Sequence, residues 1–105
     1  MYQVLILPHF KRQTKTYFKK YRQLKSSLLF ELERFNPQQQ VHLGQGIYKI
    51  RLSSKVIILL VEVDALLVPI TLYFKGDQAT ITKQEINDQL EIILFEFKAE
   101  ALLSQ

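Results

Sequence analysis

Lys11, Arg12, Lys15, Lys19, Lys20, Arg22 and Lys25 all precede the first acid of the chain, Glu31. Residues 1–55 hold 11 Lys and Arg against 2 acids, whereas residues 56–105 hold 3 Lys against 8 acids, so the net charge of +4 conceals two halves of opposite sign. A cationic half of this kind attracts a polyanion, with nucleic acid the leading class. A solvated helix face accounts for the same charges equally well when charge alone is considered. A second group of cations lies further on. In the stretch from Ile47 to Leu52, Lys49 and Arg51 alternate with Tyr48, Ile50 and Leu52. On a strand, this alternation sends Ile47, Lys49 and Arg51 to one face and the others to the opposite face. Arginine offers a planar fork of donors for a phosphate and lysine a compact point charge.

Other chemistry has little to stand on. The chain has no cysteine, so it can form neither a disulfide framework nor a thiolate site. His9 and His42 stand alone, with no acid or second histidine at ligand spacing, and no glycine-rich phosphate loop is present. No metal or cofactor is expected. Asp64 reads as a turn residue, and Glu31 and Glu33 as partners of neighbours such as Arg34.

These side chains need a scaffold. With 105 residues, 48% of them hydrophobic, the chain reads as one domain over 1–105 with a small but real core. The apolar run at residues 4–7 is too short for a signal-peptide core, and the longest unbroken apolar run, 56–61, is far below the ~20 residues of a membrane span. The expectation is a soluble, cytoplasmic protein with no membrane partner.

Residues 2–7 read as a first strand ended by Pro8, which suits the first turn of a helix. Phe10, Thr14, Tyr17, Phe18, Tyr21, Leu24 and Leu28 then recur at helical spacing beside a stripe of Lys11, Lys15, Lys19 and Arg22. The helix either breaks at Ser26-Ser27 or runs through, and ends at Asn36-Pro37. Residues 38–43 read as a polar loop. Three strands follow at about 47–52, 56–63 and 66–74, joined by turns at Ser53-Ser54 and Asp64-Ala65 and closed by Lys75-Gly76-Asp77. Pro69 marks an edge position or a bulge in the third. Thr82 and Glu85 have the spacing of a capping box at the start of a last helix. That helix carries two apolar stripes. One is Ile86, Leu90, Ile93, Leu94, Phe97 and Ala101; the other is Ile92, Phe95, Ala99 and Leu102. Either the chain's own sheet and helices cover both, or one docks a partner or a second copy. The fold class is α+β: a small antiparallel sheet, made of the N-terminal strand plus a three-strand meander, packed with one or two N-terminal helices and a C-terminal helix.

This order, with Gly46-Ile47-Tyr48-Lys49-Ile50-Arg51-Leu52 and Leu72-Tyr73-Phe74-Lys75-Gly76-Asp77, resembles the RelE/ParE superfamily of type II toxins over nearly the whole chain. The resemblance implies a small bacterial toxin with a cognate antitoxin as partner. RelE-type members cleave messenger RNA in the ribosomal decoding site; ParE-type members poison DNA gyrase. On the RelE side, the resemblance assigns Lys49 and Arg51 to the scissile phosphate, with Tyr73 and Lys75 as further catalytic candidates. Lys11, Arg12, Lys15, Lys19 and Arg22 become RNA contacts. One departure stands out: the family's strand-entry arginine falls at about Ile57, and Lys55, two residues earlier, would share its face and substitute in part if the strand is already extended there. Loss of one preorganised electrostatic group costs about 10²–10³ in rate. The implied function is therefore a ribosome-dependent endoribonuclease with a weakened site. The alternative is a non-catalytic gyrase inhibitor or a degenerate toxin that only binds its antitoxin. Assembly stays open between a homodimer and a toxin–antitoxin hetero-oligomer.

Overall fold

The computed structural model describes residues 2–76 and 81–103. In chain order the elements are β1 (Gln3–Val4), α1 (Pro8–Lys20), α2 (Arg22–Glu33), β2 (Val41–Gly44), β3 (Ile47–Arg51), β4 (Val56–Val63), β5 (Leu66–Phe74) and α3 (Lys83–Leu103). One five-stranded sheet runs β1-β5-β4-β3-β2. The expected meander is present as β3, β4 and β5, each antiparallel to the next. The N-terminal strand joins the same sheet, but parallel to β5, so the sheet is mixed. It is also shorter than the expected residues 2–7. Pairing covers only Gln3 and Val4, with one further bond from Leu5 N–H to the Leu67 carbonyl at 2.9 Å, before the chain turns into α1.

The meander forms because β4 is apolar throughout its buried length and can be covered on both faces. Asp64 and Ala65 make its tight turn with φ of 51° and 64°, the left-handed pair that a two-residue hairpin requires. The loop expected at residues 38–43 is corrected: Val41–Gly44 pairs with β3 as an edge strand, because Gly44, Gln45 and Gly46, all at positive φ, fold the chain back on itself. Gly44 and Gly46 thus frame a hairpin turn. Gly46 is required there, since a Cβ would stand 2.8 Å from the Glu62 carbonyl oxygen and its φ is +77°. Pro69 sits at a bulge, opposite Leu60, where the register skips Ile70; the edge reading fails because β5 lies between β1 and β4.

The helices divide over the two faces. Phe10, Leu24, Leu28, Leu32 and Phe35 pack with Ile50, Val56, Ile58, Leu60, Leu67 and Leu72 on one face. Ile93 packs with Leu7, Ile47, Leu59, Val68 and Ile70 on the other, flanked by Ile86 and Leu90. The first helix breaks at Tyr21 (φ −118°, ψ 84°), not at Ser26-Ser27. The break redirects α2 so that Leu24, Leu28 and Leu32 meet the sheet alongside Phe10. Pro8 occupies the first turn of α1 as expected. No side chain of Leu7 caps that helix; instead Glu96 of α3 accepts the His9 N–H at 2.9 Å. The capping box of α3 forms. Glu85 N–H donates to Thr82 Oγ1 at 3.1 Å, and Thr82 N–H donates to Glu85 Oε1 at 3.4 Å. Of the second apolar stripe, Phe95 and Leu102 remain 75% and 72% exposed, so the protein's own sheet does not cover it. Asp77, placed in the closing turn by the sequence, lies outside the described residues. Among the described residues no helix is long and apolar enough to cross a membrane.

Candidate functional site

The strand register decides which candidate side chains share a surface. Lys49 pairs with Leu59, and Leu59 with Thr71; Arg51 pairs with Ile57, and Ile57 with Tyr73. Directly paired residues lie on the same face, so Lys49, Arg51 and Tyr73 all belong to the face that carries α3. Arg51 and Tyr73 flank Ile57 from two sides. With strands ~4.8 Å apart, their backbones stand roughly 10 Å from each other. Arg51 is exposed and Lys49 half-buried. Neither forms an ion pair with a described residue. Burial raises the pKa of the Tyr73 phenol above its usual value, so at neutral pH Tyr73 is a hydrogen-bond donor and not a base.

Ile57, at the centre of this row, is fully buried. Lys55 does not take its place. β4 begins at Val56, and Lys55 lies in the bend before it, lining a groove on the opposite, α1/α2 side with Tyr21, Val56 and Phe74. The strand is not yet extended at Lys55, so the shared face expected from a two-residue offset does not arise. Lys75 stands beside it: its N–H donates to the Lys55 carbonyl at 2.8 Å. The backbones of the two lysines therefore meet at the end of the sheet.

α3 contributes acids that the sequence did not assign to the site. A cleft of about 240 Å³ is lined by Gln13, Thr71 and Tyr73 on one wall and by Glu85, Asp88 and Gln89 on the other. The signal was present as an i, i+3 and i, i+4 set on one side of α3, but its facing wall could be known only from packing. Asp88 Oδ1 accepts a hydrogen bond from Gln84 Nε2 at 2.8 Å.

The basic helix is only partly joined to this surface. Lys11, Lys15 and Lys19 are exposed on α1, which packs against β5, while Lys49 and Arg51 lie on β3 beyond β4. Arg12 is drawn to α3 by Glu96, 3.4 Å away. With Arg12 largely exposed the pair contributes little to stability, but the Glu96 carboxylate offsets the charge that a ligand would meet there. Arg22 starts α2 and lines the groove that contains Lys55. The histidines have structural partners. His9 Nε2 is 2.6 Å from Gln89 Oε1, and His42 stacks on Tyr48 while accepting the Gly46 N–H at 3.3 Å. Among the described residues no group of three or more His, Cys, Asp or Glu is gathered that could hold a metal ion.

The fold has counterparts among solved proteins. The structure superposes on a copper-bound mutant toxin from Helicobacter pylori with a TM-score of 0.55 and 13% identity, covering 74% of this chain and 99% of that one. It also superposes on YafQ from E. coli strain BL21(DE3) with a TM-score of 0.52 and 11% identity, covering 73% of this chain and 97% of that one. No protein-family model and no curated protein sequence matches the chain. At such identities the likeness is one of fold: the α+β sheet with its flanking helices is shared with a toxin, while the side chains on it must be judged from their own geometry.

Proposed function

We propose that this protein is the toxin of a type II toxin–antitoxin module, a RelE-like member of the RelE/ParE superfamily, and that it cleaves messenger RNA on the ribosome. The observation that carries this reading is the cationic row on the α3 face: Arg51 beside Ile57 and Tyr73, with Lys49 one pair further along the same face. Cleavage beside a ribose 2′-hydroxyl builds negative charge on the phosphate. Lys49 and Arg51 stabilise that charge, Arg51 with two-pronged geometry and Lys49 as a point charge. Protonated Tyr73 donates to a phosphate oxygen or to the departing 5′-oxygen. Asp88 and Glu85, which line the cleft with Tyr73, supply carboxylates for the 2′-hydroxyl proton. Lys55 and Lys75 guide the flanking backbone at the sheet end, and the α1 cations Lys11, Lys15 and Lys19 contact ribosomal RNA, with Arg12 contributing less because Glu96 pairs it. The antitoxin partner is an acidic, partly disordered chain that neutralises this surface.

Primer extension on messenger RNA after induction tests the proposal: new 5′ ends that vanish in the Lys49→Ala and Arg51→Ala variants support it. Their absence from an induced culture that stops growing would count against it. The buried Ile57 favours a second reading, in which the protein binds without cutting, as a gyrase inhibitor or as a toxin that only engages its antitoxin. Loss of gyrase supercoiling activity in the presence of the purified protein, with intact messenger RNA, would establish that reading instead.

A further inference from the structure

At the end of the sheet where β3 and β5 finish and β4 starts, the face opposite the Arg51 row opens into a groove of about 570 Å³. Its floor is apolar: Leu24, Leu52, Val56 and Phe74. Aromatic rings gather along it. Tyr17 lies 4.9 Å from Phe74 between ring centroids and Tyr21 lies 6.3 Å from Phe74, both tilted, and Tyr21 remains 45% exposed at the break between α1 and α2. The charges among its described lining residues have one sign. Arg22 and Lys55 line it, and Lys20 holds its ammonium 5.4 Å from the Tyr21 ring centroid in the adjoining depression, which shares Tyr21, Lys55 and Phe74. Among the described residues no acid lines either hollow; Glu31 lies beyond Ser27 at the far end.

We propose that this groove is a nucleotide subsite that seats one unstacked base of single-stranded RNA against Tyr21 and Phe74, with the adjoining phosphates held by Arg22, Lys20 and Lys55. An aromatic platform with an unopposed cationic rim is the arrangement that binds single strands, because every base has a π-face and every linkage a charge. The volume suits such a ligand, since small-molecule sites run from about 300 to 1,000 Å³. The hydrogen bond between Lys75 N–H and the Lys55 carbonyl joins the backbones of two lysines at the sheet end, between the groove on one face and the Arg51 row on the other. A single strand bent around the sheet end reaches both. The subsite deepens the nuclease proposal and rests on it for the identity of the polyanion, but its binding step is separable from cleavage.

The test is fluorescence anisotropy of a short fluorescein-labelled single-stranded RNA titrated with the full chain at several salt concentrations. Tyr21→Ala is expected to weaken binding about 5- to 150-fold, the range of a lost base–aromatic stack, while Tyr21→Phe stays within about twofold. Arg22→Gln is expected to lower the slope of log affinity against log salt by about 0.7, one phosphate of a single strand. Arg22 is exposed, so this variant keeps the fold and carries the test if Tyr21→Ala melts early. Unchanged binding in both Tyr21→Ala and Arg22→Gln overturns the subsite. If Lys49→Ala and Arg51→Ala alone weaken binding, the groove is wrong and the nuclease reading survives. If the groove variants weaken binding but the parent never cuts messenger RNA on ribosomes, the subsite stands and the nuclease reading falls. Binding of an acidic, leucine-containing peptide with no binding of RNA also overturns it.

Discussion

The side-chain amide of Gln13 pairs with both polar groups of the Leu72 backbone: Oε1 accepts the Leu72 N–H at 3.2 Å, and Nε2 donates to the Leu72 carbonyl at 3.4 Å. The same Nε2 donates to Thr71 Oγ1 at 2.6 Å. β1 pairs with β5 only at Leu66 and Leu67, so Gln13 takes the place of a neighbouring strand where β1 does not reach. Thr71 and Leu72 are buried, and these groups would otherwise be hidden from water without partners. Gln13→Leu keeps the volume and removes the amide. We expect a loss of about 1–3 kcal/mol, read as a fall in Tm of roughly 4–8 °C per kcal/mol in thermal unfolding. An unchanged Tm would mean that water replaces the amide at the β5 edge.

Lys49 and Arg51 contribute to the proposed chemistry and little to stability, since neither forms an ion pair with a described residue. Lys49→Ala and Arg51→Ala are each expected to slow ribosome-dependent cleavage by about 10²–10³ while shifting stability by no more than about 0.5 kcal/mol. Arg51→Lys should recover only part of the rate, because it keeps the charge and loses the fork. Single-turnover cleavage of a programmed ribosome, set beside thermal melts, reads both effects.

Ile57→Arg is the substitution that the family resemblance suggests for repairing the site. Burial makes the opposite outcome the expected one. A guanidinium at this fully buried position, paired across β3 with Arg51, loses its hydration and faces a like charge. The variant should be destabilised by several kcal/mol, and denaturant titration should show a lower midpoint than the parent. A stable Ile57→Arg protein that cuts RNA faster would show that the sheet end opens more readily than its packing indicates.

Tyr73 supplies a pH dependence whose sign follows from burial. Its pKa is raised by desolvation, so folding favours the neutral phenol over the phenolate. That stability is fully present below the unfolded tyrosine value of about 10 and is lost as pH rises through the higher folded value. Ultraviolet titration should resolve one tyrosine ionising above the usual range, and the Tyr73→Phe variant should lack that step while losing less stability than the parent above pH ~10. If the difference titration between the parent and Tyr73→Phe falls in the ordinary tyrosine range, the Tyr73 phenol is more hydrated than its position on β5 implies.

Much of this was already legible in residue order. The alternation from Ile47 to Leu52 put Lys49 and Arg51 on one face because strand side chains repeat every two residues, and the pairing of β3 with β4 agrees. Thr82 and Glu85 declared the start of α3 because they meet its unsatisfied backbone groups locally, and Pro8 that of α1 because its fixed φ suits a first turn and it has no N–H to satisfy. Tertiary structure alone decided the rest. That β1 runs parallel to β5, and that the first helix breaks at Tyr21 so that Leu24 meets the sheet, depend on partners distant in the chain, whereas Val41–Gly44 pairs locally with the next strand, β3. The same holds for the site: the one-residue start of β4 after Lys55 sent that lysine toward Tyr21 instead of Ile57, and the packing of α3 brought Asp88 opposite Tyr73. Local periodicity fixes which way a side chain leaves its own element; only the meeting of elements fixes what it finds there.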